Sequence, residues 1–191
     1  ARPSRGRSSR STWAGPRATI LGMSLLSDDL ANWTPAHVEA LVKERLAETV
    51  RLDFKEALDL SRPAARKELA KDLSAMANQE GGFIVAGVKE TDGIAEQLTP
   101  FALPPGFSEL IDNINETCLS PPVPGLRHTP IRRDDGLAYY CIYVPRSEYG
   151  PHQVTVGGDY RYYRRNERSC VPMPDSEIQL RIERRVQRRE Q

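Results

Sequence analysis

Asp53 and Lys55 are the pair in this 191-residue chain whose types and spacing best suit phosphate chemistry. They lie in the run Glu48-Thr49-Val50-Arg51-Leu52-Asp53-Phe54-Lys55, where Val50, Leu52 and Phe54 alternate with Arg51, Asp53 and Lys55. Side chains alternate across a strand, so three apolar groups share one face and three charges the other. A carboxylate and an ammonium on one face can hold a divalent metal and offset charge on a scissile phosphate. The same pair also reads as a solvated strand face carrying a modest ion pair. Glu48 is five residues before Asp53, the wrong parity for one straight strand, so it must reach in from a turn or bulge. Together these carboxylates would suit Mg or Mn, which take oxygen ligands.

A second stretch, Tyr160-Arg161-Tyr162-Tyr163-Arg164-Arg165, interleaves aromatic rings with arginines and is followed by Arg168. On a strand each face would then carry both a stacking surface and positive charge, the combination that holds bases and phosphates. A core strand with inward tyrosines and solvated arginines fits the same pattern. Arg181, Arg184, Arg185 and Arg188 recur at helical spacing and make one basic face. His128 and His152 have no cluster of acids or cysteines beside them in sequence and receive no role.

The elements that must position these groups follow from period and punctuation. Thr34-Pro35 opens a helix to about 47, with Val38, Leu41, Val42 and Leu46 as its apolar stripe. A strand at about 50–58 follows, then a helix from Ser61-Arg62-Pro63 to Asn78. Gly81-Gly82 ends that helix and leads into the apolar run 83–88, a fully buried strand. Phosphate loops lead from strand to helix, the reverse order, so the glycine pair is not one. Lys89 to Gly93 reads as a turn, 107–118 as a third helix, and 126–133 with 137–144 as a hairpin about Asp134-Asp135-Gly136. A last strand is expected over 160–165, and a last helix from Asp175 or Ser176 with Ile178, Ile182 and Val186 at i, i+4, i+8.

The bulk composition bounds the class. Hydrophobic content of 39% and charged content of 28% describe a globular chain. No apolar run approaches the length of a membrane span. Three scattered cysteines argue against a disulfide framework and for a reducing compartment, the cytoplasm. Residues 1–22 carry five Arg and no acid, and residues 176–191 five Arg against three Glu, leaving 17 basic and 23 acidic residues between. Such an acidic body is not the profile of a purely electrostatic nucleic-acid binder, so any contact surface must be local. Residues 1–30 read as a disordered basic arm, with Met23 a candidate start, and residues 31–191 as one domain.

The order of these pieces resembles the Schlafen-type AlbA-like domain, a bacterial family described as DNA-binding and related to the nuclease core of animal Schlafen proteins. The resemblance lies in Glu48 followed by Asp53-Phe54-Lys55, in Ala75-Met76-Ala77-Asn78 with Gly81-Gly82, in Ile84 to Val88, and in Tyr162-Tyr163-Arg164-Arg165-Asn166. It covers about 36–186. It implies an α+β fold with a mixed sheet of five to six strands and flanking helices. The Schlafen relatives cut structured RNA such as transfer RNA with three acids and a divalent metal. Two of these acids correspond to Glu48 and Asp53, with Lys55 beside them; the third position holds Lys89, leaving Glu90 or Asp92 as substitutes. The tandem halves of Schlafen cores also imply a homodimer here.

The first expectation is therefore a regulatory nucleic-acid-binding domain, for RNA or DNA, using Lys55, Tyr162, Arg164, Arg165, Arg168 and the last helix. The second is an endoribonuclease in which Glu48, Asp53 and Lys55 are catalytic and Glu48, Asp53 and Glu90 hold Mg or Mn. The third is a protein-interaction module whose proline-rich loops and sheet edges bind protein.

Overall fold

A computed structural model describes residues 26–167 and 169–189. Most of the expected basic arm, and Arg168, lie outside them. Leu26 and Leu30, at the arm's expected end, instead pack against the domain, with a short 3-10 helix at Leu30–Asn32 capped by Asp29. Helix α1 spans Pro35–Lys43, with Pro35 at its first position, where a missing N–H costs little. The His37 ring closes the same helix start, its Nδ1 accepting from the Thr34 N–H at 3.3 Å. The helix stops earlier than its apolar stripe predicts because the chain turns at Arg45, whose φ is +50°.

Strand β1 (Leu52–Lys55) leads through a loop into α2 (Pro63–Ala77), and α2 returns to β2 (Gly82–Ala86), which pairs parallel to β1. β1 is shorter than the alternation predicts. Val50 and Arg51 are consumed by a turn bridged from Thr49 to Leu52, while beyond Lys55 the chain bends so that Leu58 and Leu60 plug the core. Lys89-Glu90-Thr91-Asp92-Gly93, expected as a simple turn, is the tip of a hairpin of β3 (Val88–Thr91) and β4 (Ile94–Leu98). Asp92 and Gly93 take positive φ at its turn.

Helix α3 (Phe107–Cys118) and the hairpin of β6 (Arg127–Arg132) and β7 (Ala138–Val144) fall where the periodicities place them, whereas the short β5 (Leu119–Ser120) has no pattern to announce it. β8 (Gln153–Val154) pairs with β5. β9 (Tyr163–Asn166) and β10 (Ser169–Pro172) form a hairpin, and α4 spans Asp175–Arg189. The expected last strand is thus displaced by a few residues, and its partner strand carries no alternation to announce it. Glu167, at the turn of this hairpin, takes a positive φ of +45°.

The result is α+β. The described residues form a four-stranded mixed sheet in the order β1-β2-β7-β6 and three two-stranded sheets. Its faces follow the period of two. Phe83, Val85, Tyr139 and Cys141 face one side, where Trp33, Val38 and Leu41 cover them. Ile84, Ala86, Tyr140 and Ile142 face the other, under Leu69, Leu73, Met76, Ile111 and Ile114 from α2 and α3. The Gly81-Gly82 pair serves close approach: a Cβ on Gly82 would collide with the Arg51 backbone.

Candidate functional site

β1 divides its residues as the alternation predicts, but its charged face is not solvated. Leu52 and Phe54 enter the Trp33 cluster, while Asp53, only 4% exposed, lies on the side of α2 and the β9–β10 hairpin. There it meets two cations. Lys55 Nζ lies 2.8 Å from Asp53 Oδ2, and Arg165 Nη1 donates to Asp53 Oδ1 at 2.8 Å. Lys55 Nζ also reaches Asp72 Oδ2 at 2.9 Å, joining β1 to α2. The Cys170 thiol donates to Asp72 Oδ1 at 3.1 Å, joining β10 to the same carboxylate. Arg165 and Cys170 are direct partners in the β9–β10 register, so they approach the cluster from one hairpin face.

Two carboxylates and two cations balance within this cluster, as burial demands. Burial alone would favour a neutral Lys55 amine, yet Asp72 and Asp53 outweigh it and hold the ammonium more firmly protonated than usual. Burial pushes the Asp72 carboxyl up, and the charge on Asp53 adds to that. Burial and the neighbouring Asp72 also push the Cys170 thiol up, which keeps it a hydrogen-bond donor. Asp72 and Cys170 are members that sequence reasoning missed. Asp72 reads from sequence as a charge off the apolar stripe of its helix, and Cys170 lies in a strand with no alternation, so neither is marked by pattern.

The remaining predicted residues fall in three places. Glu48 sits before β1, and its Oε1 accepts the Phe54 N–H at 2.9 Å. Burial pushes its carboxyl up despite that bond, and the charges of Asp53 and Glu90 add to the effect. Glu90 accepts the Gly93 N–H within the β3–β4 turn. Tyr162 and Arg164 share the face of the β9 segment opposite Tyr163 and Arg165. The Arg164 side chain is 41% exposed and meets Glu177 of α4 at 3.4 Å. Arg165, expected to contact phosphate, is instead 2% exposed and committed to Asp53, because parity turns it inward. Lys55 is likewise held between two carboxylates rather than presented as a free cation.

The three acids expected to hold Mg or Mn do not fit that role in this arrangement. Both Asp53 oxygens face cations, and Glu48 and Glu90 each hold a backbone N–H. No group of three or more His, Cys, Asp or Glu suited to a metal occurs among the described residues. No described helix is long and apolar enough to cross a membrane.

Asn78 explains the polar end of α2. Its Nδ2 donates to the carbonyls of His152 at 3.2 Å and Tyr163 at 3.0 Å, and its Oδ1 accepts the His152 N–H at 2.8 Å. It therefore ties the approach to β8 and the start of β9 to the helix. Lys71 on α2 lies 5.4 Å from the centre of the Tyr163 ring, and the Tyr163 hydroxyl donates to Asp159 at 2.7 Å. These contacts fix β9 from beneath and leave its other face to Tyr162 and Arg164.

A search of curated protein sequences returns no match. Among solved structures, the DIP2311 protein from Corynebacterium diphtheriae is similar at 23% identity and a TM-score of 0.46, over 72% of this chain and 29% of that one. This chain thus spans less than a third of that protein. The N-terminal domain of an ATP-dependent DNA helicase RecG-related protein from Nitrosomonas europaea is similar at 20% identity and a TM-score of 0.39, over 67% of this chain and 87% of that domain. The family model described as Schlafen, AlbA_2 matches residues 48–174, which take in β1, the buried charge cluster and both strands of the last hairpin. By that match, the chain belongs to the Schlafen AlbA_2 family.

Proposed function

We propose that this domain binds nucleic acid through the outer face of β9 and the segment leading into it. The observation that carries the reading is the sorting of two adjacent arginines. Arg165 is consumed by Asp53, whereas Arg164 is presented with Tyr162 on the outer face, continuing from the exposed Tyr160 and Arg161. Arginine beside aromatic rings on one surface suits phosphate and base together. Arg184 and Arg188 of α4 are also exposed and add positive charge to a body that is otherwise acidic. Asp53 and Lys55 support this reading from below, since their cluster holds the hairpin in place.

The test is fluorescence anisotropy of labelled RNA and DNA over a potassium chloride series. The expected result is affinity that falls linearly on a log–log plot, with Arg164→Ala lowering the slope by about 1. A parallel incubation with manganese examines cleavage, with Glu48→Gln as control because the amide oxygen can still accept the Phe54 N–H. Metal-dependent cleavage lost in Glu48→Gln would overturn a pure binding role in favour of an endoribonuclease. Absence of binding to any nucleic acid would overturn the reading altogether.

A further inference from the structure

Tyr160 is 67% exposed, the most exposed of the large hydrophobic side chains among the described residues. Its backbone, by contrast, is fixed. Gln153 Nε2 donates to the Tyr160 carbonyl at 2.7 Å, and the Val154 N–H donates to the Arg161 carbonyl at 2.9 Å. On the preceding side Asp159 is buried, accepting the Tyr163 hydroxyl at 2.7 Å with Lys67 Nζ at 3.3 Å. A firmly anchored backbone thus carries an aromatic ring into solvent. That arrangement reduces the entropy lost when the ring is covered by a ligand.

We propose that Tyr160 stacks on an unpaired base and makes this surface select single-stranded over duplex nucleic acid, an inference that rests on the binding reading above. Within a duplex, neighbouring pairs cover both faces of each base, so an outward ring finds no partner along its length. An unpaired strand exposes those faces, and stacking on them tolerates any sequence because every base has a π-face. Arg161, the next residue, is exposed, and Arg164, four residues beyond Tyr160, is partly so, which supplies positive charge near the ring in the chain for the phosphates of a stacked strand.

The experiment compares single strands of about 20 nucleotides, oligo-uridine and oligo-thymidine, with a duplex of equal length, at one low salt concentration. The expected result is tighter binding of both single strands. Tyr160→Ala should weaken it about 5- to 150-fold, the equivalent of one stacked base, and weaken duplex binding much less, so that the preference for single strands collapses. Tyr160→Phe should keep single-strand affinity. The exposed position makes both variants compatible with folding, which circular dichroism checks. Equal affinity for duplex and single strands, or a Tyr160→Ala variant that binds single strands as the wild type does, would overturn the selectivity while leaving nucleic-acid binding intact. Failure of the wild type to bind any of the three would overturn both.

Discussion

Arg165 and Asp53, 112 residues apart in sequence, meet at 2.8 Å in a site from which water is nearly excluded, the two side chains being 1% and 6% exposed. The pair closes the last hairpin onto the first strand of the sheet. Removing one partner leaves an uncompensated buried charge, which costs far more than the net worth of the pair. Arg165→Ala should therefore destabilise the fold by about 3–5 kcal/mol in urea unfolding, and Asp53→Ala by a similar amount. The double variant should lose much less than the sum, because no orphaned charge remains. Strict additivity would refute the pairing. It follows that loss of any activity in Asp53→Ala reports folding before it reports chemistry.

Acid should weaken the fold through His152. This ring is fully buried, its Nδ1 lies 2.7 Å from the Pro121 carbonyl, and burial holds its pKa below the ordinary value of 6.5. The folded state therefore keeps His152 neutral while the unfolded chain takes up a proton near pH 6.5. Between those two values the unfolded state binds more protons, so stability falls as pH drops below about 6.5. His152→Asn, whose amide can reproduce the Nδ1–H donor, removes the titration. Unfolding free energies measured from pH 7.5 down to 5.5 should decline less steeply in the variant; parallel curves would contradict the assignment.

Much of the fold was legible because it rests on local pattern. The period of two in Val50 to Lys55 gave both faces of β1, and the Asp-Gly turn gave the β6–β7 hairpin. What period cannot reveal is what covers a face. The charged face of β1 is buried only because β9 and β10 return more than a hundred residues later. The same gap hid Asp72, which reads from sequence as one of the charges off the helix's apolar stripe yet is buried against β1 and β10. β10 escaped because Ser169-Cys170-Val171-Pro172 has no alternation and ends in proline.

Tyr140 should prove a structural hub on the α3 side of the sheet. Its hydroxyl lies 2.7 Å from His128 Nδ1 and 2.9 Å from Ser108 Oγ, while His128 Nε2 lies 2.9 Å from Asp112 Oδ1. A carboxylate on Nε2 fixes the proton there, leaving Nδ1 to accept the Tyr140 O–H. Tyr140→Phe leaves His128 and Ser108 short of a partner and should cost about 1–2 kcal/mol. Nitrogen chemical shifts of the His128 ring would report the loss directly. An unchanged tautomer balance together with unchanged stability would count against the chain.

The approach of β2 to the turn before β1 should tolerate no side chain. Gly82 has φ +149°, and a Cβ there would run into the carbonyl and Cα of Arg51, which are backbone and cannot rotate away. Gly82→Ala must therefore both strain its own backbone and part β2 from that turn, at a cost of about 3 kcal/mol or more. Gly158 is the matched control. Its φ is +72°, but a Cβ there meets nothing within 4 Å. Gly158→Ala should lose only the left-handed penalty of about 1–2 kcal/mol. Comparable losses in the two variants would mean that backbone conformation, and not the contact with Arg51, sets the requirement for glycine at position 82.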